Sequence, residues 1–285
     1  MSRIAIATCL KQPELTPSDR LLAAALNARG ASVVAAPWNG EFAPFAEADL
    51  TLIRSTWDYF DVTDAFTGWI GRLEGEACVL NPAPVLRWNM TKSYLFDLAE
   101  KGGPVPPSRR IAPTPDAIAQ AMDALKIDEA IVKPLSGGTA SGLSRVARND
   151  PAAIARAAEI LNGPSLVQPF LPDIVARGET SFVFLDGDFS HAVLKRPKSG
   201  DIRVQEDHGG SSTRVEAPEW AVEEAARILS LCPEGAAYAR VDAIVTSREL
   251  TLMEIELVEP ELFFPYCPEA ADRFAAALLR FLDAQ

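Results

Sequence analysis

Four charged residues near the carboxyl end of the chain are spaced so that they could build a metal site. Arg240 and Asp242 are separated by one residue, and so are Glu254 and Glu256. Side chains alternate between the faces of a strand, so each pair shares a face. In a hairpin centred near Arg248, Asp242 would lie opposite Glu254 and Arg240 opposite Glu256. Facing carboxylates need a cation, and these three suit Mg²⁺, which takes phosphate oxygens as its other ligands. A solvated sheet face is the alternative interpretation.

A lysine followed by a glycine-rich loop lies about a hundred residues earlier. Lys133 ends an apolar run and precedes a loop containing Gly137, Gly138 and Gly142. A lysine and close backbone N–H groups are what a triphosphate requires. Neither the P-loop pattern nor the dinucleotide-binding glycine pattern occurs in the chain. This segment therefore predicts a different nucleotide-binding arrangement, with a mobile surface loop as the alternative.

Two candidate substrate-binding segments follow from their positions in the chain. Arg54, Ser55 and Asp58 come directly after an apolar run, at the carboxyl end of a predicted strand, where α/β sheets bind ligands. Arg54 could hold a carboxylate with two hydrogen bonds. Alternatively, neighbouring Trp57 and Tyr59 pack between lobes and Arg54 pairs with Asp58.

The second candidate segment is the loop at residues 196–213. Arg203, His208 and Gly210 lie in it, and its Gly-Gly-Ser-Ser stretch offers donors for an anion. The loop holds many polar residues and few apolar ones, so we expect it to be mobile without ligand.

The elements that must position these residues change character along the chain. Residues 1–90 alternate strands with helices, which predicts a parallel sheet covered by helices. A lobe at residues 91–166 contains the glycine-rich loop, and a strand-rich lobe at residues 167–285 contains the charged hairpin. The strand predicted at residues 165–169 is assigned to this last section. The turn at Asp186-Gly187 predicts a hairpin there, and a terminal helix is predicted over residues 268–282.

Composition excludes several classes of partner. The net charge of −12 is unfavourable for binding nucleic acid or an anionic membrane. The four cysteines are far apart and only two histidines occur, so a zinc site is not expected. Without a signal-peptide pattern or an apolar stretch of about 20 residues, we expect a cytoplasmic protein. A homodimer stays open.

The charged hairpin and the lysine with its glycine-rich loop belong to a longer ordered series of residues. In chain order this series is Lys92, Lys133, Gln168, Pro169, Phe170, Leu171, Glu179, Lys195, Arg240, Asp242, Glu254 and Glu256. Taken together, these residues resemble the ATP-grasp superfamily, in its glutathione-synthetase-like group of carboxylate–amine ligases, and most of all the cyclo-ligase type of cycloserine biosynthesis. The resemblance covers essentially the whole chain and rests on the order of the residues rather than on any one of them.

The resemblance implies an α/β fold in which a parallel N-terminal lobe precedes two α+β lobes that clasp ATP. Lys92, Lys133 and the loop glycines would contact phosphates, the segment at residues 168–171 would hold adenine, and Glu179 would hold the ribose. Asp242, Glu254 and Glu256 would bind Mg²⁺, or Mn²⁺ in its place. Arg240 and Lys195 would serve catalysis, Arg240 by stabilising the charge that develops during phosphoryl transfer.

One position departs from the family pattern. Many members have asparagine where this chain has Glu256, followed by a glycine-containing turn instead of Glu259-Pro260. A carboxylate still binds metal, but the change argues against familiar substrates such as D-alanine dipeptides.

Three functions fit these residues. The first is a ligase that activates a small carboxylate for attack by a small amine. The second is a small-molecule kinase on the same fold, and the third is a nucleotide-binding protein without chemistry. The full set of carboxylates and Arg240 argue against the third.

Overall fold

The structure is a computed structural model, and it describes residues 1–138 and 140–285. Thr139 of the glycine-rich loop lies outside the described residues. Within the described ranges the strands form three sheets that follow one another along the chain.

The first sheet is parallel, with the strand order β2-β1-β3-β4. Its strands are β1 (Arg3–Thr8), β2 (Ser32–Pro37), β3 (Leu50–Ile53) and β4 (Val79–Leu80), and its helices are α1 (Pro17–Ala28), α2 (Ala43–Ala46) and α3 (Thr63–Glu76). Helix α1 begins where the Thr16 hydroxyl accepts a hydrogen bond from the Asp19 amide at 3.0 Å, which satisfies a free N–H of the first turn. The predicted parallel lobe is confirmed.

Two short helices, α4 (Ala83–Asn89) and α5 (Tyr94–Glu100), connect the first sheet to the second. Only the second of them was predicted. The side chain of Asn89, at the end of α4, binds the backbone of the strand end: Nδ2 donates to the carbonyl of Ile255 at 2.9 Å, and Oδ1 accepts from the amide of Leu257 at 2.6 Å. The connection therefore fixes the position of the charged hairpin.

The middle sheet is antiparallel, with the order β5-β8-β6-β7. Its elements are β5 (Arg109–Ile111), α6 (Pro115–Leu125), β6 (Glu129–Pro134), β7 (Ser144–Ala147), α7 (Pro151–Glu159) and β8 (Ser165–Pro169). Grouping the strand at residues 165–169 with the last section was wrong, because β8 pairs with β5 and β6. The residue pattern of a short apolar strand does not indicate which sheet the strand joins.

The last sheet is antiparallel, with the order β11-β10-β9-β12-β13. Its elements are α8 (Asp173–Ala176), β9 (Glu179–Leu185), β10 (Asp188–Arg196), β11 (Ser211–Val215), α9 (Glu219–Ser230), β12 (Tyr238–Val245), β13 (Leu250–Glu256) and α10 (Pro268–Asp283). Asp186 and Gly187 have φ angles of 55° and 84°, as a two-residue hairpin turn requires. The predicted hairpin and terminal helix are confirmed.

The loop predicted at residues 196–213 is partly regular. Its last residues form the edge strand β11, in which Ser212 pairs with Lys195. Val204 is 3% exposed and packs with Ile174 and Ile244, so the loop has an apolar anchor that the sequence pattern did not reveal.

Apolar clusters join the first and last sheets. Helix α10 packs on α1, and one cluster contains Ile4 and Leu22 of the first lobe together with Val183 and Phe274 of the last. The middle sheet and its two helices have a cluster of their own, made only of residues between 111 and 167. In the described part of the chain, no helix is both long and apolar enough to cross a membrane.

Candidate active site

The charged hairpin has the register that the sequence predicts. Asp242 pairs with Glu254, and Arg240 pairs with Glu256, across β12 and β13. The register shifts between Asp242 and Ala243, so the bulge lies just beyond the charged pairs. All four side chains line one cleft of about 540 Å³, a volume typical of small-molecule sites.

Arg240 connects the acids of this face. Its Nε and Nη2 donate to the two carboxylate oxygens of Asp242, each at 2.9 Å, and Nη2 also contacts Glu256. Its Nη1 donates to the carbonyl of Glu261 at 3.2 Å. Burial alone would raise the pKa of Asp242, but the positive charges of Arg240 and Lys195 outweigh it and hold that pKa well below its usual range.

Lys195 connects Asp242 to the neighbouring strand. Its ammonium lies 2.9 Å from Oδ2 of Asp242 and 2.6 Å from Oε1 of Glu179. The hydroxyl of Ser181 donates to Oδ1 of Asp242 at 2.6 Å. Three buried strands thus hold a network of alternating charge, which the sequence pattern alone did not connect.

The opposite wall of the cleft presents lysines and the glycine-rich loop. Lys92 lies 2.8 Å from Oε1 of Glu254 and donates to the carbonyl of Gly137 at 2.6 Å. A Cβ atom on Gly138 would come 2.6 Å from the ring of Phe60, so only glycine fits there. Lys133 is 8% exposed, and burial lowers its pKa to about 8.

The end of β8 forms a third wall. Gln168, Pro169, Phe170 and Leu171 line the cleft together with Glu179. The amide of Phe170 donates to the carbonyl of Glu129 at 3.1 Å, and the Gln168 side chain donates to Ser108 at 2.8 Å. These contacts fix an apolar segment that could lie against a planar base.

The candidate substrate residues are not all brought to the cleft. Of the described residues, those that line it include Arg203 but not Arg54, Ser55, Asp58, His208 or Gly210. Arg203 donates to Asp201 at 2.7 Å. Gly210 lies so close to the carbonyl of Val204 that a side chain would not fit.

Arg54 lies beneath the cleft, and its proposed pairing with Asp58 is wrong. Its Nε donates to Asp19 at 2.8 Å, and its side chain is 1% exposed. Asp58 instead accepts from the indole of Trp38 at 2.6 Å and from the amide of Asn39 at 2.9 Å. Nη1 of Arg54 has no hydrogen-bond partner among the described residues.

Some cleft residues were not predicted as site residues. Glu259 and Tyr59 line the cleft, as do Thr16, Pro17 and Ser18 at the start of α1. Burial, together with the negative charge of Glu256, raises the pKa of Glu259 to about 8. In the sequence, the only indication of Glu259 is its position. It lies three residues after Glu256, at a point where the chain departs from the family pattern.

The acids of the hairpin are candidate ligands of Mg²⁺. In the described ranges no three His, Cys, Asp or Glu side chains are grouped closely enough to hold a metal ion by themselves. Glu254 and Glu256 nevertheless lie on one rigid face of the cleft and provide carboxylate oxygens. Mg²⁺ commonly takes one or two carboxylates and completes its shell with water and phosphate. The donor set therefore fits a metal that arrives with a nucleotide.

Comparisons with known proteins agree with this geometry. Residues 4–81 match the N-terminal domain of D-cycloserine synthetase DcsG, and residues 104–263 match the prokaryotic glutathione synthetase ATP-grasp domain. The cycloserine biosynthesis protein DcsG of Streptomyces lavendulae is 29% identical over 256 residues, which cover 85% of this chain and 86% of that protein.

A glutathione synthetase of Prochlorococcus marinus is 30% identical over 193 residues, covering 64% of this chain and 57% of its own length. The crystal structure of D-cycloserine synthetase DcsG superposes with a TM-score of 0.85 at 25% identity, covering 98% of this chain and 99% of the other. The D-alanine–D-alanine ligase of Bacillus anthracis shares the fold, with a TM-score of 0.69 at 17% identity over 100% of this chain and 97% of the ligase.

The predicted resemblance and fold class are confirmed, and the ATP-grasp match alone spans more than half of the chain. The chain belongs to the family of prokaryotic glutathione synthetase ATP-grasp domains, and it is an ATP-dependent carbon–nitrogen ligase.

Proposed function

We propose that the chain uses Mg²⁺-ATP to convert a small carboxylate into an acyl phosphate, which an amino group of the same molecule then attacks. One observation carries the proposal. A single cleft contains the cations of a phosphate site, an apolar wall and the Arg240–Asp242–Lys195 network. Two observations support ring closure within one small molecule. The chain is similar to DcsG in its first lobe and over 85% of its length, and the cleft has the volume of a small-molecule site.

The residues take the following roles in this proposal. Lys92, Lys133 and the amides of the glycine-rich loop bind the phosphates of ATP. The segment at residues 168–171 holds adenine. Glu179 holds the ribose, although it also pairs with Lys195.

Asp242, Glu254 and Glu256 would hold the metal, which supplies charge neutralisation at the phosphates when it is bound. Lys92 pairs with Glu254, so phosphate binding would draw this lysine toward the nucleotide and free the carboxylate.

In the first step the substrate carboxylate oxygen attacks the γ-phosphorus and ADP leaves. In the second step the amino nitrogen, in its neutral form, attacks the acyl carbon and the C–N bond forms. Phosphate leaves with the C–O bond pair and takes up the proton that the nitrogen loses. Arg240 is fixed by Asp242 and Glu256, so its guanidinium is preorganised to stabilise negative charge on the transferring group.

The substrate lies, in this proposal, between the hairpin and the start of α1. Ser18 and Thr16 line the cleft there, and the N-terminus of this twelve-residue helix favours a negative group. Arg203 would contact the substrate from the loop above. Arg54, Ser55 and Asp58 would act from beneath by supporting the helix and the strand end, and His208 and Gly210 would shape the loop.

Trapping with hydroxylamine tests the chemistry. The protein is incubated with Mg²⁺-ATP and a panel of amino acids and small carboxylates, and both ADP release and acyl hydroxamate are measured. We expect one acid to give hydroxamate in proportion to ADP. ADP release without hydroxamate, together with a phosphorylated alcohol, would show a kinase instead.

A further inference from the structure

Glu259 occupies a rigid position in the cleft. It lies in the bend after β13 and is 7% exposed. The indole N–H of Trp57 donates to its carbonyl at 3.1 Å. Two residues earlier, Leu257 is held at both backbone groups, because its amide donates to Asn89 at 2.6 Å and its carbonyl accepts from Asn81 at 2.7 Å. The bend is therefore fixed by the first lobe and by the connection that follows it.

The carboxylate of Glu259 differs from the acids beside it. Elsewhere in the cleft, Glu179, Asp242, Glu254 and Glu256 each pair with a lysine or an arginine. No side chain among the described residues forms a hydrogen bond or an ion pair with the carboxylate of Glu259. A buried carboxylate without a partner is unfavourable, and the pKa of about 8 keeps Glu259 mostly protonated in the empty cleft at pH 7. A cationic occupant of the cleft would stabilise its ionised form.

The groups around Glu259 indicate which occupant fits. Tyr59 is 2% exposed, lines the cleft, and packs its ring against Phe66 with centroids 4.3 Å apart. Burial and then the negative charge of Glu259 raise the pKa of Tyr59, which keeps its hydroxyl neutral. Phe60 packs against Tyr59 from another side at a tilt of 35°, with centroids 4.1 Å apart. Glu259 thus lines the same cleft as this aromatic group of the first lobe.

We propose that Glu259 binds the amino group of the substrate as an ammonium, beside Tyr59, and positions its nitrogen next to the activated carboxylate. The inference rests on the proposed ligase function and names the subsite for the attacking amine. Phe66 and Phe60 cover the ring of Tyr59, so the charge of the ammonium would be met by the Glu259 carboxylate. The phenylalanine rings offer no oxygen ligand to Mg²⁺, whereas Glu254 and Glu256 share the hairpin face. The metal would therefore occupy the hairpin face and the ammonium the aromatic side.

Binding of a simple ammonium tests the subsite directly. Ethylammonium is titrated into the full chain saturated with Mg²⁺ and a non-hydrolysable ATP analogue, and binding is followed by saturation-transfer NMR. The variants are Glu259→Gln and, as a matched control, Glu249→Gln, which makes the same change at an exposed position of the β12–β13 turn. We expect Glu259→Gln to weaken binding by about 10- to 100-fold, as for one charged hydrogen bond, and Glu249→Gln to have no effect.

Two results of this titration would overturn the inference. One is a wild-type protein that does not bind ethylammonium, and the other is equal binding by Glu259→Gln. Folding is checked by the thermal midpoint of unfolding at pH 7, which we expect to be close to the wild-type value in Glu259→Gln, because the carboxyl group is already mostly uncharged in the empty cleft.

The two half-reactions separate the subsite from the ligase chemistry. Hydroxylamine at high concentration replaces the substrate amine and does not need the subsite. At saturating substrate, Glu259→Gln should therefore form acyl hydroxamate at the wild-type rate, while its KM for the substrate that carries the amino group rises. A loss of hydroxamate formation or of Mn²⁺ affinity in this variant would make Glu259 a metal ligand and overturn the inference. Wild-type protein that binds ethylammonium through Glu259 but forms no hydroxamate would overturn the ligase chemistry and leave the ammonium subsite in place.

Discussion

Two buried ionisable groups in the cleft, Lys133 and Glu259, form no ion pair among the described residues. Lys133 comes from β6 of the middle sheet, and Glu259 comes from the bend after β13. Every other charged residue discussed at the hairpin is already paired within the protein. Burial moves the pKa of each toward its neutral form, so a ligand of opposite sign would stabilise the charged form of each.

The first prediction concerns Lys133 and the pH dependence of ATP binding. Lys133→Ala should weaken ATP binding by about 10- to 100-fold at pH 7, as expected for a charged hydrogen bond. Burial lowers the pKa of Lys133 to about 8, so the amine is charged at pH 7 and mostly neutral at pH 9. ATP prefers the charged form, and its affinity should therefore fall by up to about tenfold over the unit above pH 8.

Calorimetric titration of ATP at pH 7 and pH 9 measures this effect. Lys133→Arg is the matched control, since arginine stays charged at both values. The ATP affinity of this variant should fall less between pH 7 and pH 9 than that of the wild type. An identical pH dependence in wild type and Lys133→Ala would contradict the phosphate-binding role.

The second prediction concerns Arg240. Arg240→Ala should lower kcat by about 100- to 1,000-fold, the cost of removing one preorganised donor from a transition state, with little change in the KM for ATP. The guanidinium is fixed by Asp242 and Glu256 and is directed at charge that forms only during transfer. Steady-state kinetics of ADP release measure both constants.

Arg240→Lys is the control for geometry. One ammonium cannot span both carboxylates as the planar guanidinium does, so this variant should fall between wild type and Arg240→Ala. A raised KM for ATP with unchanged kcat would assign Arg240 to ground-state binding instead.

At the scale of elements, strand β10 holds the segment that follows the hairpin. Nε2 of His191 lies 3.0 Å from the carbonyl of Leu262 and must donate to it, so Nδ1 accepts from the Ser190 hydroxyl at 3.0 Å. The Nδ1 contact requires the neutral ring, whereas Nε2 donates to the Leu262 carbonyl in either protonation state. The neighbouring residues Glu261 and Phe263 line the cleft, so this histidine connects the stability of the last sheet to the shape of the site.

The third prediction is a loss of stability at low pH through His191. Burial lowers the pKa of His191 to about 4, and the positive charges of Arg214 and Arg273 act in the same direction, while Glu269 opposes them. The unfolded chain has the ordinary pKa of about 6.5 and binds the proton more tightly. Stability from this group is therefore complete above pH 6.5 and is lost as the pH falls toward 4, by about 2 kcal/mol at pH 5.

Urea denaturation of wild type and His191→Gln at pH 7.5 and pH 5 isolates this contribution. Glutamine keeps a donor for the Leu262 carbonyl but does not titrate. Wild type should lose about 2 kcal/mol more than the variant between the two values. Equal losses would mean that the ring is protonated in the folded protein.

The local residue pattern was sufficient to predict the register of the charged hairpin. Period-two alternation and the turn near Arg248 predicted the pairing of Asp242 with Glu254 and of Arg240 with Glu256, and the structure has that register. The positive-φ turn at Asp186-Gly187 was equally predictable, because few residues adopt that backbone.

Contacts between distant residues were not predictable in this way. Arg54 follows a strand as a ligand-binding residue would, yet Asp19, 35 positions earlier, pairs with it beneath the cleft. The pattern of β8 did not specify its sheet, and the apolar anchor at Val204 depends on Ile174 and Ile244 from other elements. Such pairings are decided by packing across the molecule, which the order of residues does not encode locally.

The whole molecule divides into a joined part and a more separate part. The first and last sheets share an apolar cluster, and Asn81 and Tyr238 form hydrogen bonds between them. The middle sheet has a cluster of its own, and among the described residues of this sheet and the segment directly after β6, Leu166 and Leu135 join the cluster beneath the last sheet. We therefore expect the middle sheet to be the part that moves when nucleotide binds.

The fourth prediction is that two loops become protected when Mg²⁺ and an ATP analogue bind. They are the glycine-rich loop at residues 136–142 and the loop at residues 197–212. An acyl phosphate must be shielded from water, and loops that close over the cleft provide this. In the second loop, Val204 packs with Ile174 and Ile244, and the hydroxyl of Tyr266 donates to Glu206 at 2.8 Å.

Hydrogen exchange with and without the analogue measures the protection, and small-angle X-ray scattering measures the accompanying decrease in the radius of gyration. Strands β9 and β12 serve as the internal reference, since they are buried at the centre of the last sheet and should not change. Val204→Ala should raise exchange in the second loop before nucleotide is added, because it removes the apolar anchor, and should leave the glycine-rich loop unaffected. Full protection of both loops in the free protein, with no change in the radius of gyration, would show that the site is preformed and that the middle sheet does not close over it.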